Sequence, residues 1–419
     1  MSTEYSLATR SLHTTISAVN RTNKFIHKTL NSTPQLNEEA LIASAISKAN
    51  GLADFGDGQA LDALHQLIKS LNEESELSAV GRLFVKQWII NTIKSRLLLQ
   101  DYWKKHPELS SVEIKKPLFI VGLPRTGTTI LLNLLAQDSN HRSPLAWECM
   151  SPYPRPGENS KLDKSRIKSA DRIFDFMFYV MKPEILPIHE VQAEWPQECT
   201  LITEYEFLSI SYPAMYNVPA YQAWLNQQNF APGYEYHKRF LQYLPKQEHQ
   251  RWLLKSPGHL GVLDSLLEIY PDAQIIQTHR NPAECIPSLA SFGYYLRTMY
   301  SDDDTCCNRK VIGRQTQETW MHHLNRSVEV RDQNPEKENQ FYDLHYSEFI
   351  KDPIKEIERI YSYFDMSFSD ETAHKMKSFL ASNKHGKHGK HSYKLEDFGY
   401  NKENLRKDFE FYNKRFNIK

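Results

Sequence analysis

The sequence has no excess of one charge, since 51 Lys and Arg side chains balance 51 Asp and Glu side chains among 419 residues. This balance argues against nucleic acid or an anionic membrane surface as the main partner, because both attract basic proteins. No uninterrupted apolar run approaches about 18 residues, so no membrane span is predicted. The opening residues, MSTEYSLATRSLHTT, lack the apolar stretch of a signal peptide, and we expect a cytoplasmic location.

Cysteine is scarce, and the five cysteines include no C-x-x-C pair. Their odd number and spacing favour reduced thiols in a cytosolic protein over a disulfide framework. The adjacent residues Cys306 and Cys307 have two interpretations, an ordinary loop position or a redox-active pair. Histidine recurs at every third position within KHGKHGKHSY (384–393), but two glycines disfavour a rigid metal-binding helix face. We therefore expect no metal.

Residues 1–115 are predicted to form a helical N-terminal extension. Leu64, Leu67, Ile68 and Leu71 recur at helical spacing and form one apolar stripe. No chemical motif occurs in this region. It is interpreted either as helices packed on the main domain or as a cap or oligomer contact, the latter consistent with a homodimer.

Residues 116–419 alternate between short apolar runs and helical patterns. A helical pattern follows each run, and this alternation is typical of a parallel sheet covered by helices on both faces. We therefore predict an α/β fold, a three-layer domain with a central parallel sheet. The predicted strands are 118–122, 251–255, 273–280 and 341–346.

Residues 152–250 interrupt this alternation and are rich in Tyr, Pro and Trp, as in SYPAMYNVPAYQAWL. We interpret them as a mostly helical insertion that lines an apolar acceptor cleft. Ordinary aromatic packing in a core is the alternative interpretation.

The segment GLPRTGTT, residues 122–129, has the G-x-x-x-x-G spacing of a phosphate-binding loop and lies between a predicted strand and a predicted helix. Backbone N–H groups of such a loop and the start of the helix together bind anions. Thr128 stands where nucleoside-triphosphate loops have a lysine, and the loop's cation is Arg125. These residues fit a 5′-phosphate that carries a second oxyanion better than a magnesium triphosphate.

A second candidate phosphate site follows the third predicted strand, in THRNPAECIPS. Asn281, Pro282 and Glu284 are typical of a capped helix start. Arg280 precedes this helix and Ser288 follows eight residues later. A guanidinium group and a hydroxyl near a helix N-terminus could bind a separate phosphate.

Together, PRTGTT and THRNPAECIPS resemble the two nucleotide-binding segments of sulfotransferases that use 3′-phosphoadenosine 5′-phosphosulfate (PAPS). LLKSPGHL, YPDAQIIQTHRNP and HSYKLEDFGY are similar to the branch of this family that is common in bacteria and occurs in some eukaryotes. The resemblance covers roughly residues 116–400. It implies a P-loop-like domain, PAPS as the co-substrate and adenosine 3′,5′-bisphosphate as the product.

The resemblance also implies roles for individual residues. The position where an aromatic residue often follows the loop is occupied by Ile130. The implied donor-binding residues are Arg125, Thr126, Gly127, Thr128 and Thr129 around the 5′-phosphate and sulfonate, Arg280 and Ser288 at the 3′-phosphate, Tyr346 near adenine, and Lys387, Gly389 and Lys390 in a C-terminal loop over the 3′-phosphate.

Sulfonate transfer needs stabilisation of the departing charge and a base for the acceptor hydroxyl. By resemblance, Lys255 contacts the transferring sulfonate, and Arg125 stabilises the leaving group. His259 is the leading candidate base, although it lies four residues after the lysine, whereas in the family's cytosolic branch the histidine lies two after it.

The alternative base lies in HEVQAEWPQEC (189–199). Glu190, Glu194 and Glu198 are spaced by four residues, so a helix would place them on one face. Other sulfotransferase branches use glutamate as the base. Glu194 or the neighbouring His189 is the second candidate.

The sequence therefore predicts a PAPS-dependent sulfotransferase that acts on a hydroxyl of a small, fairly apolar acceptor. Two alternatives are a P-loop-type small-molecule kinase and a non-catalytic nucleotide-binding protein. The kinase is disfavoured by Thr128 at the lysine position and by the lack of an obvious aspartate for magnesium.

Overall fold

The computed structural model describes residues 12, 14–20, 22, 34–57, 59–186, 191–301, 304–383 and 392–418. Its central element is a five-stranded sheet in which every strand pair is parallel. All four predicted strands are present, and only a two-residue edge strand has too little pattern to be predicted. The strands are β1 Leu118–Gly122, β2 His141–Arg142, β3 Arg251–Lys255, β4 Gln274–His279 and β5 Phe341–His345, in the spatial order β2-β3-β1-β4-β5.

The centre of the sheet brings three strand ends together. β1 lies between β3 and β4, and Leu118 pairs with both Leu253 and Gln274. Because the strands are parallel, the carboxyl ends of β1, β3 and β4 meet at one edge. In open parallel sheets, ligands bind at this edge.

Helices make up most of the remaining chain. In chain order they are α1 Glu38–Lys48, α2 Ala60–Glu74, α3 Ala79–Lys105, α4 Thr128–Leu135, α5 Ala146–Met150, α6 Ser160–Asp175, α7 Thr200–Thr203, α8 Ser211–Met215, α9 Pro219–Leu225, α10 Ala231–Tyr243, α11 Leu263–Ile269, α12 Pro282–Tyr300, α13 Arg309–Gln333, α14 Tyr346–Phe349, α15 Pro353–Tyr363, α16 Asp370–Ser382, α17 Lys402–Asp408 and α18 Glu410–Arg415. Among the described residues, none of these helices is both long enough and apolar enough to cross a membrane.

Two hydrophobic cores cover the two faces of the sheet. Phe119 and Val121 of β1 pack with α10, α11, α12 and α13 on one face. Leu118 and Ile120, which alternate with them, pack with α4, α15 and α16 on the other. The predicted three-layer α/β architecture is confirmed.

The N-terminal helices share a third core with the aromatic-rich segment. The stripe of Leu64, Leu67, Ile68 and Leu71 is buried, as its spacing predicts. It packs in one cluster with side chains of α6, α8 and α9, which belong to the 152–250 segment. The N-terminal helices therefore support the segment that lies next to the strand ends.

A buried ion pair joins these two regions. The Arg96 guanidinium, which has no exposed surface, donates to Glu206 at 2.5 Å and to the Tyr205 carbonyl at 3.0 Å. It also donates to the Phe55 carbonyl from Nε and Nη2, at 3.0 and 2.6 Å. One side chain of α3 therefore satisfies backbone groups from both sides of this core.

Glu204 makes the stability of this core dependent on pH. Burial raises the pKa of its carboxyl from 4.5 to about 7, although hydrogen bonds from Ser211 and Trp88 oppose the rise. Between these two pKa values the unfolded chain loses this proton and the folded chain keeps it, so stability falls as pH rises from about 4.5 to about 7. We expect Glu204→Gln to remove this loss, worth about 3 kcal/mol at full ionisation. Urea unfolding of the wild type and the variant at pH 5 and pH 8 measures this effect. An equal difference in unfolding free energy between the two proteins at both pH values would contradict the expectation.

Candidate active site

The loop after β1 is held in a phosphate-loop conformation by glycines and by Thr126. A Cβ atom on Gly122 would lie 2.1 Å from Thr278 Oγ1, so only glycine fits between β1 and β4. Arg125 and Gly127 have φ values of 74° and 88°, in the left-handed region. The loop then leads into α4 at Thr128, as the spacing predicts.

The threonines of the loop have different environments. Thr126 Oγ1 donates to the Leu123 carbonyl at 2.6 Å and lies 2.5 Å from Thr278 Oγ1, so its side chain fixes the loop to β4. Thr128 is also buried, whereas Thr129 and Arg125 are exposed. Thr129 and Arg125 offer exposed side chains to a bound anion, and the other residues of the loop can contribute backbone N–H groups.

The structure brings the second predicted phosphate segment next to this loop. Arg280 Nη1 donates to the Arg125 carbonyl at 3.1 Å. The Arg280 guanidinium carbon lies 4.7 Å from the centre of the Tyr346 ring, and a Cβ on Gly127 would lie 3.2 Å from that ring. The two segments and the predicted adenine-side tyrosine therefore lie in contact with one another.

The helix that follows Arg280 begins as predicted, with one difference. Asn281 Oδ1 accepts a hydrogen bond from the Ala283 N–H at 3.1 Å, and Pro282 is the first helical residue of α12. Glu284, predicted to complete the cap, instead accepts a hydrogen bond from Arg280 Nε at 3.0 Å. This carboxylate orients the guanidinium group. Ser288 lies two turns further along α12 and is buried.

Lys255 lies at the carboxyl end of β3 and is only 2% exposed. Its ammonium group forms an ion pair with Glu198 and lies 3.5 Å from Thr129 Oγ1. The Lys255 carbonyl also accepts a hydrogen bond from the Cys199 N–H at 2.9 Å. The loop that carries Glu198 is thus fixed to the strand end beside the phosphate loop.

Glu198 is the residue whose position sequence reasoning missed. Spacing by four suggested a helix with three glutamates on one face, but residues 191–199 form turns and extended chain. Pro196 pairs with Leu145 there, which is incompatible with a helix. Glu194 is consequently exposed, while Glu198 contacts Lys255. No periodic pattern in the sequence indicates this contact.

His259, the leading candidate base, lies inside the core above the sheet. It is 2% exposed, its Nδ1 lies 2.5 Å from the Tyr234 hydroxyl, and its ring meets Phe119 edge-on at 5.2 Å. Burial, followed by nearby His237 and Lys255, lowers the pKa of this imidazole well below its usual value. These contacts favour a packing role for His259.

Other predicted site residues are not placed. Lys387, Gly389, Lys390 and His189 lie outside the described residues. Within the described part of the chain, no group of three His, Cys, Asp or Glu side chains has the arrangement of a metal site.

A cavity of about 470 Å³ borders Gly258, three residues after Lys255. Ile210 and Phe230 line it together with the amide side chains of residues 226–229 and the ion-paired Asp264. The cavity is therefore polar in part, unlike the apolar cleft expected from the aromatic composition.

Two solved structures resemble the whole arrangement. Sulfotransferase STF1 from Mycobacterium tuberculosis H37Rv matches with 32% identity and a TM-score of 0.77, over 89% of this chain and 98% of its own. Sulfotransferase STF9 from Mycobacterium avium matches with 26% identity and a TM-score of 0.81, over 93% of this chain and 99% of its own. Since residues 116–419 are under three quarters of the chain, these matches include N-terminal helices that the motif resemblance did not reach.

Sequence similarity gives the same assignment. The omega-hydroxy-beta-dihydromenaquinone-9 sulfotransferases Stf3 of Mycobacterium bovis and Mycobacterium tuberculosis are each 26% identical over 293 residues, 67% of this chain and 70% of theirs. The sulfotransferase family model matches residues 117–370. The chain belongs to the sulfotransferase family and is a PAPS-dependent enzyme.

Proposed function

We propose that this enzyme transfers the sulfonate group of PAPS to a hydroxyl of an apolar acceptor, with Lys255 at the transferring group and Glu198 as the base. The observation that carries the proposal is the ion pair between Lys255 and Glu198, beside Thr129 of the phosphate loop. It joins a cation for the leaving group and a carboxylate for the proton at the strand ends.

The donor occupies the two neighbouring phosphate segments in this proposal. The N–H groups of the loop, Arg125 and Thr129 bind the 5′-phosphosulfate. Arg280 and Ser288 bind the 3′-phosphate. The close approach of Arg280 to the Arg125 carbonyl supports one ligand spanning both segments. Since Arg280 covers one face of Tyr346, adenine would stack on the other face.

The chemistry is an in-line displacement at sulfur, similar in its demands to phosphoryl transfer. The acceptor oxygen forms a bond to sulfur, the bond from sulfur to the bridging oxygen breaks, and adenosine 3′,5′-bisphosphate leaves with the electron pair. The Lys255 ammonium group neutralises the charge on that oxygen. Its ion pair with Glu198 becomes weaker as a result. The released carboxylate then accepts the proton of the acceptor hydroxyl.

An apolar acceptor is supported by the apolar side chains packed beside the loop that carries Glu198. Phe176 and Met177 are half-buried in the π-helical segment Phe176–Met181 that continues α6. Together with Phe292 and Tyr295 on α12, they pack against the core that continues into the 191–199 loop. The Stf3 relatives are named for an omega-hydroxy dihydromenaquinone acceptor. Both observations support a hydroxyl carried by an apolar molecule.

A chain-length series tests the acceptor class. With radiolabelled PAPS and primary alcohols from ethanol to 1-decanol, we expect kcat/KM to rise by about fourfold for each added methylene that is buried, since each burial is worth about 0.8 kcal/mol. Glucose is the polar control and should be a poor acceptor. A flat series, or a preference for glucose, would contradict the apolar acceptor and leave the family assignment intact.

A further inference from the structure

The turn between α12 and α13 holds two adjacent thiols that the transfer reaction does not use. The Sγ atoms of Cys306 and Cys307 are 3.8 Å apart. Cys306 is buried and Cys307 is half-buried, so one thiol of the pair can be reached from solvent. The other three cysteines are all buried.

Both thiols contact groups that join the N-terminal helices to α12. Cys306 Sγ lies 3.5 Å from the Ser75 carbonyl, and Cys307 Sγ lies 3.5 Å from the Ser301 carbonyl. The Cys306 carbonyl accepts a hydrogen bond from Arg297 of α12 at 3.2 Å. The pair therefore lies where the end of α2, at Ser75, meets the end of α12, at Ser301.

We propose that Cys306 and Cys307 form a reversible disulfide with each other when hydrogen peroxide oxidises the protein. Cys307 sulfur attacks one peroxide oxygen, the O–O bond breaks, and water leaves with the thiol proton, giving a sulfenic acid. Cys306 sulfur then attacks Cys307 sulfur, the S–O bond breaks, and a second water carries away the second proton. Two thiols are oxidised by two electrons and one peroxide is reduced to two waters.

The covalent geometry makes this disulfide easy to reduce. Adjacent Cα atoms are about 3.8 Å apart across a trans peptide, below the usual range of about 4.4–6.8 Å for a disulfide. Strained disulfides are the reducible ones. The hydrogen bond with Cys306 and burial both raise the pKa of the Cys307 thiol, so the first step is slow at neutral pH.

Formation of the disulfide closes a small ring and should weaken the contact between the end of α2 and the end of α12. Each sulfur must turn towards the other and away from the Ser75 and Ser301 carbonyls. A disulfide between adjacent residues closes no loop of chain, so it hardly restricts the unfolded state. It therefore gives little stabilisation to offset the lost contacts with the Ser75 and Ser301 carbonyls. The oxidised enzyme should melt about 1–2 °C lower than the reduced enzyme, and dithiothreitol should restore the midpoint.

Peptide mapping tests the proposal directly. Trypsin should release residues 298–309, TMYSDDDTCCNR, which contain both thiols and no other cysteine. After hydrogen peroxide treatment, denaturation and alkylation, we expect this peptide to be two hydrogen atoms lighter and to carry no alkyl group. If the oxidised protein is reduced with dithiothreitol before alkylation, the same peptide should carry two alkyl groups.

The matched variant is Cys307→Ser, which changes the half-buried member of the pair. After peroxide treatment, this variant should give no peptide that is two hydrogen atoms lighter, and its melting midpoint should not change. Two alkyl groups after oxidation, a stable sulfinic acid, or a disulfide mapped to other cysteines would each overturn the proposal. If Cys307→Ser is poorly folded, Cys306→Ala takes its place with the same expectations. A disulfide that leaves the melting midpoint unchanged would contradict the expectation that oxidation weakens the contact between α2 and α12.

Discussion

Glu198→Gln should lower kcat by about 10²–10⁴-fold, the usual contribution of a general base. Glutamine keeps an oxygen that can accept a hydrogen bond from Lys255, so the lysine should stay in place. What the variant loses is the ability to accept the proton of the acceptor hydroxyl. Affinity for adenosine 3′,5′-bisphosphate should stay within about threefold, since uniform binding is not affected. Steady-state transfer to 1-decanol and calorimetric titration measure the two quantities.

Two matched variants separate Glu198 from the other candidate bases. Glu194→Gln removes the exposed carboxylate of the same loop and should leave kcat unchanged. His259→Asn removes a buried ring that packs on Tyr234 and Phe119, so it should lower stability more than it lowers kcat in the folded fraction. A near-normal kcat in Glu198→Gln together with a kcat loss of 10²-fold or more in fully folded His259→Asn would reverse the assignment.

Arg96→Met should destabilise the enzyme by about 3–5 kcal/mol, because it leaves one partner of a buried ion pair without the other. Glu206 would be left without the guanidinium group, and the Phe55 and Tyr205 carbonyls would each lose a donor. Burial already raises the pKa of Glu206 despite Arg96, so the orphaned carboxyl should become neutral. Urea unfolding at pH 7 measures the loss.

An exposed ion pair provides the control for this variant. Arg314 and Glu318 lie 3.9 Å apart on the surface of α13, each about two thirds exposed. Arg314→Met should change the unfolding free energy by less than about 0.5 kcal/mol. Adding Glu206→Gln to Arg96→Met should recover part of the loss. If Arg96→Met behaves like Arg314→Met, the buried ion pair does not hold the N-terminal helices to the 152–250 segment.

The sheet and the phosphate loop could be predicted because short-range sequence patterns determine them. LFIVG followed by GLPRTGTT specifies a buried strand, a tight turn and a helix start within about a dozen residues. The position of Arg280 before a capped helix start indicates a phosphate ligand, the resemblance points to Tyr346, and the structure brings the two side chains together. β2, with two residues, offers no comparable pattern.

Glu198 and the N-terminal core could not be predicted, since both depend on long-range packing. The spacing of Glu190, Glu194 and Glu198 suggested a helix, but the strand-like bridge from Pro196 to Leu145 holds the loop in another conformation. The apolar stripe of α2 indicated a buried face without indicating its partner. That partner is the 152–250 segment, which is distant in sequence.

One nucleotide should span the loop at Arg125 and the helix start after Arg280. Calorimetric titration of wild type and Arg280→Ala with adenosine 3′,5′-bisphosphate and with adenosine 5′-monophosphate tests it most directly. We predict that the variant binds the bisphosphate about 10–100-fold more weakly, the value of one charged hydrogen bond. Its affinity for the monophosphate should be unchanged. An equal loss for both ligands, or no loss for either, would contradict the assignment of Arg280 to the 3′-phosphate.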